Sequence, residues 1–122
     1  IDLAKGIAMV LFRMGMIDNL YFFDGGLYEI KNVNEITILS FSKSGGTNFN
    51  NVINKIKENG NNSVIITDGY DSCREYSNQA FWIGIGGTTF QNNYSDSAFP
   101  AYKGNKQCVA YNSHTSKFDY CN

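Results

Sequence analysis

Proline is almost missing from this chain, with one residue in 122, and so is histidine, again with one. A lone histidine cannot build a zinc centre, and no His-Glu-x-x-His pattern occurs, so the common zinc-hydrolase chemistry has no ligand set here. Charge is also scarce, at 17% of residues, with ten basic side chains against eleven acidic ones and a net charge of -1. The basic residues are scattered, which removes the electrostatic case for binding nucleic acid or an anionic membrane surface. The longest apolar stretch, Ile7 to Phe12, is far too short to span a bilayer. No basic start and no cleavage site accompany it, so it does not read as a signal peptide.

Cysteine is sparse and odd in number: Cys73, Cys108 and Cys121. Three reduced thiols in a cytoplasmic or particle-associated protein is one reading, because a core of this size needs no covalent staple. The other pairs Cys108 with Cys121 in an exported protein and leaves Cys73 free. Cys73 with His114 as thiol and base is the pairing expected from chance alone. Asparagine is abundant, a compositional bias that carries no function.

What is present is enough apolar residue, 43%, to give one domain over 1–122 a real core. Leu3, Ile7, Val10, Leu11 and Met14 recur at helical spacing, with Met9, Phe12 and Met16 on a second side. A helix apolar on both sides is expected between two layers, stopped by Gly15 and then Asp18-Asn19. The chain thus begins at Ile1 inside a helix and without an initiator methionine, as expected if something upstream has been removed or the sequence is a fragment.

Leu20–Phe23 and Leu27–Ile30 flank Asp24-Gly25-Gly26 and predict a β-hairpin. Glu35–Ser42 is ambiguous. Ile36, Thr37 and Ile38 favour a strand, whereas Ile36, Leu39 and Lys43 would ride one helix face. Phe49, Val52, Ile53 and Ile56 obey the i, i+3, i+4, i+7 rule and predict a helix ended by Gly60. Val64–Thr67 and Ala80–Ile85 are continuous apolar runs, expected as strands buried on both faces. Asn92–Lys106 reads as loop, with Tyr94, Phe99 and Tyr102 as a contact surface or as loop packing. A terminal strand or hairpin is expected around Asn112-Ser113. The element order predicts an α/β fold with a mostly parallel core sheet and one antiparallel edge.

Two positions can carry chemistry together. Thr47 closes a Gly45-Gly46 loop that lets backbone approach an ion, and Asp68 ends the Val64–Thr67 strand with Gly69 after it. A hydroxyl and a carboxylate suit Mg²⁺, which takes oxygen ligands and keeps several waters. Ser44 and Asp71 flank that pair as candidate outer contacts or rim residues. Each half also has a plain structural reading: Thr47 or Asn48 as a helix cap, and Asp68-Gly69 as a turn. The Gly84-x-Gly86-Gly87 run has no helix pattern after it and fails as a dinucleotide loop.

The order Gly-Gly-Thr-Asn-Phe, amphipathic helix, Val-Ile-Ile-Thr-Asp-Gly resembles the von Willebrand factor A-like fold, and most closely its metallopeptidase-like bacterial and phage branch. The resemblance covers Leu3 to Gly87. It implies a three-layer Rossmann-like domain, with Leu20–Ile30 as the second and edge strands and an antiparallel edge hairpin. It also implies a metal-ion-dependent adhesion site in which Thr47 and Asp68 hold Mg²⁺ or Mn²⁺ and a protein partner supplies a carboxylate. The family's Asp-x-Ser-x-Ser motif, which ends the first strand, is nowhere in these 122 residues. The sheet is therefore expected to lack its middle strand and to be completed by a companion chain or an N-terminal segment. An alternative from another class keeps the fold as a metal-free structural subunit of a larger assembly. A hydrolase is disfavoured, since no base–nucleophile pair is evident.

Overall fold

The computed structural model describes residues 3–42, 48–59, 63–67, 80–85 and 108–120. They fall into two compact units, Ile1–Asn48 and Phe49–Asn122, each with its own secondary structure.

The first unit opens with α1, Leu3–Arg13. Its end is a Schellman turn: the Met16 amide donates to the Leu11 carbonyl and the Gly15 amide to Phe12, both at 3.0 Å, with Gly15 at a left-handed φ of 70°. Gly15→Ala should therefore cost this unit about 1 kcal/mol, read as a lower thermal or urea midpoint, because a side chain is strained at that φ. Space is not the obstacle, since a Cβ there would meet nothing within 4 Å.

α1 buries Ala8 and Met9 and packs Phe12 beside them. That differs from the sequence expectation, which put Leu3, Ile7, Val10, Leu11 and Met14 on one apolar side, Met9, Phe12 and Met16 on a second, and the helix between two layers. Val10 and Met14 on the first side and Met16 on the second are 55%, 64% and 64% exposed, so each expected side packs only in part. Helical spacing locates an apolar stripe; only a neighbour decides which stripe is used.

That neighbour is α2, Glu35–Ser40. The ambiguous segment is helical because of its start. Asn34 Oδ1 accepts from the Thr37 amide while Thr37 Oγ1 accepts from the Asn34 amide, both at 2.9 Å, a reciprocal capping box. The Lys5 ammonium donates to the Leu39 carbonyl at 3.0 Å, placing a cation at the helix's negative end. Arg13 Nε donates to Glu35 Oε1 at 2.7 Å. The hydrogen bond and charge of Arg13 hold the Glu35 carboxyl below its ordinary value, and Glu35 raises Arg13 in return. Both side chains are well exposed, so water screens the pair and it adds little stability.

Between the helices lies the expected hairpin, β1 (Tyr21–Phe23) and β2 (Leu27–Glu29), a two-stranded antiparallel sheet of its own. Asp24 Oδ1 accepts from the Gly26 amide at 2.9 Å and fixes the turn. Phe22 stacks on Phe41 with ring centroids 4.2 Å apart.

The second unit begins with α3, Phe49–Asn59, whose four expected core residues, Phe49, Val52, Ile53 and Ile56, are all buried. An open four-stranded sheet follows in the order β3 (Val64–Thr67), β4 (Phe81–Gly84), β5 (Cys108–Asn112), β6 (Lys117–Tyr120). β3, β4 and β5 are parallel, and β6 is the antiparallel edge. The fold is thus α/β with a mostly parallel sheet, and the N-terminal hairpin is separate from it. The last turn holds Ser116 at φ 55°, and the His114 amide donates to Asn112 Oδ1 at 2.9 Å. His114 is a turn residue.

Register aligns Ile65 with Trp82 and Thr67 with Gly84, and all four are buried. Phe49 meets Trp82 edge to face, with centroids 5.5 Å apart. On the opposite face, Val64 and Phe81 are exposed and Ile66 and Ile83 only half-buried. The expectation of strands buried on both faces is corrected accordingly: alternation puts every second side chain in a row that is not fully covered. A continuous β-branched run hides this, because both rows have the same composition.

Candidate functional site

The site expected from the sequence sits at two chain positions, the Gly-Gly-Thr loop and the end of β3. Thr47, Asp68, Ser44 and Asp71 all lie outside the described residues, as do Cys73, Cys121 and the aromatic loop at 92–106. What the structure describes is the framework on either side of them.

On the first side, Asn48, which directly follows Thr47, donates its amide to the Asp24 carbonyl at 2.8 Å. Asn48 is therefore anchored to the end of β1, where the hairpin turns. Asp24 is also tied to Gly26, whose amide donates to Asp24 Oδ1 and whose carbonyl accepts from the Asp24 amide, both at 2.9 Å. The sequence marks Asp24 only as a turn former; its tether to Asn48 joins residues 24 apart and has no local pattern.

On the second side, β3 ends at Thr67, which is buried. The Thr67 carbonyl accepts from the Ile85 amide at 2.9 Å, and the Ser63 carbonyl from Phe81, also at 2.9 Å. The strand is thus pinned along its length, and its last ladder bond falls immediately before position 68. β4 ends in register with it, Thr67 opposite Gly84. The carboxyl edge of a parallel sheet is where α/β proteins bind ligands and ions, since the connections there are free to vary.

Thr47 belongs to the first unit and Asp68 to the second. Among the described residues no group of three or more histidine, cysteine, aspartate or glutamate side chains is arranged to hold a metal ion. No buried side-chain nitrogen or oxygen among them lacks a partner. No described helix is long and apolar enough to cross a membrane.

The ladder also defines what is bare. In a strand, a residue's N–H and C=O point the same way and alternate along the chain. Ser63 and Thr67 face β4, so Val64 and Ile66 present their amides and carbonyls to the other side of β3. No described strand pairs there.

No protein-family model matches this sequence, and neither a curated protein nor a solved structure does.

Proposed function

We propose that this chain is a divalent-cation-dependent protein-binding module of the von Willebrand factor A-like kind, a three-layer Rossmann-like domain whose sheet takes a further strand from a companion chain or upstream segment. The observation that carries the reading is the end of β3: a parallel strand, hydrogen-bonded to its last residue, leads straight into Asp68. The bond from Asn48, the residue after Thr47, to the Asp24 carbonyl supports it as well.

The donor chemistry fits the ion. Thr47 offers a hydroxyl and Asp68 a carboxylate, hard oxygens of the type Mg²⁺ or Mn²⁺ takes. Two donors hold such an ion weakly, and the companion segment would complete the set. Thr47 and Asp68 would hold the ion, which would supply a positive charge for a partner's carboxylate. Ser44 and Asp71 would then shape the rim that selects the partner. Asp68→Ala in the domain with its upstream segment should weaken Mg²⁺ or Mn²⁺ binding by at least about tenfold in calorimetry. Equal affinities for the variant and the parent would remove the metal.

A second reading is favoured by a different observation. The bare backbone edge of β3 and the exposed apolar side chains of Val10 and Met14 on α1 are features of the kind covered in assemblies. In that reading the chain is a structural subunit of a larger, particle-like assembly and Asp68 makes an ordinary hydrogen bond. A metal-free map of the assembled protein decides it by what Asp68 touches.

A further inference from the structure

We infer that β3 pairs edge to edge with the β3 of a second copy of this chain; the inference rests on the assembly reading, in which no upstream strand occupies that edge.

The two ends of the four-stranded sheet are built differently. β6, the far edge, carries Lys117 and Asp119 and is exposed at every position. Alternating charges on a short strand are the ordinary defence of an edge that stays in water. β3 has none of that. From Ser63 to Thr67 it contains no charge, no proline and no glycine. Its composition is that of an interior strand, yet no described strand lies beyond it. Val64 is 51% exposed, and outside strand pairing no hydrogen bond of the described residues reaches Val64 or Ile66.

The strand is its own complement. Laid antiparallel across a two-fold axis through Ile65, Val64 of one copy faces Ile66 of the other, and the reverse. The outward groups then form four N–H···O=C bonds, two per facing pair, and none of the four residues' outward groups is left over. Ile65 meets Ile65 at the axis as the closer, non-hydrogen-bonded pair, and Val64 sits beside Ile66 on the opposite face. Cross-strand contacts between aliphatic β-branched side chains are favourable. No charge enters the strip, so nothing repels. The symmetry is closed, giving a dimer with one continuous eight-stranded sheet instead of a fibre. A charged or proline-bearing segment would not satisfy this edge; an uncharged extended one does, and β3 itself is such a segment.

Four hydrogen bonds and three side-chain pairs make a small interface, below the roughly 1,200 Å² of stable complexes. The dimer is therefore concentration-dependent, with a dissociation constant in the range of about 10 µM to 1 mM. Sedimentation of the whole chain across that range reads it, alongside hydrogen exchange at the Val64 and Ile66 amides. Val64→Pro removes an outward amide at the first position of an edge strand, where proline is tolerated, and should raise the constant at least tenfold. Val64→Lys keeps the backbone and introduces the missing edge charge, so it serves if the proline variant does not fold, and it should act in the same direction. A concentration-dependent dimer with both amides protected, dissociated by either variant, is the expected result. A monomer at 1 mM overturns the pairing, whether its two amides exchange freely or are protected by another segment of the same chain. A dimer whose constant neither variant changes overturns it as well. None of these outcomes touches the assembly reading itself, which stands or falls on the contacts of Asp68.

Discussion

Trp82→Ala should cost the second unit about 3–5 kcal/mol, the range for emptying a buried aromatic site. Trp82 is fully buried on β4, with β3 and β5 paired on its two sides. Ile65 is its registered neighbour, and the Phe49 ring of α3 meets it edge-on at 86°. An indole removes some 150–250 Å² from water, and an edge-to-face pair adds roughly 0.5–1.5 kcal/mol beyond that area. A loss of this size consumes much of the 5–15 kcal/mol that a domain typically has. Trp82→Phe keeps an aromatic body against Phe49 and should recover more than half of the loss. Trp82 is the only tryptophan, so the parent unfolds with a fluorescence change that the variants lack. Circular dichroism in urea, run on all three proteins, gives the comparison. A cost under about 1 kcal/mol for Trp82→Ala would mean that α3 and the sheet do not share this side chain as their common core.

The second unit is the more legible one in the sequence, and the reason is periodicity over length. α3 spans three turns with a clean polar face, so spacing alone marks Phe49, Val52, Ile53 and Ile56 as core. β3 and β4 are legible as strands by composition. Their covered and uncovered rows are not, because Val64, Ile65 and Ile66 are chemically alike and only the sheet distinguishes them. α1 is opaque in the same way, with two apolar stripes and no local signal for which one packs. The separation of the hairpin from the larger sheet is a matter of pairing between distant segments, which no window of sequence reports. For the site, the residue types and their order are readable: a glycine loop ending in threonine, and an aspartate after an apolar strand. The anchoring of Asn48 is not, because its bond to the Asp24 carbonyl involves backbone atoms alone and leaves no mark on residue identity.

The segment from Glu35 to Ser40 gives the sharpest test of how local and tertiary signals are balanced. As a strand it would point Ile36 and Ile38 to the same face, and both would be core or both surface. As a helix it separates them by about 200°, and the structure has Ile38 fully buried while Ile36 is 78% exposed. Ile38→Ala should therefore destabilise the first unit by about 2–5 kcal/mol, through lost burial and the cavity left beside Ala8 and Met9. Ile36→Ala should fall within about 0.5 kcal/mol of the parent, as surface substitutions do, and helix propensity tilts it toward a small gain. Equilibrium unfolding of the two variants, followed by exchange at the α1 and α2 amides, measures both. The asymmetry is the discriminating quantity. Equal losses at the two isoleucines would restore the strand and dissolve the Ala8–Met9–Ile38 core. A large loss at Ile38 alone confirms that the Asn34–Thr37 capping box, worth about 1 kcal/mol, and one buried side chain outweigh the β preference of three consecutive β-branched residues.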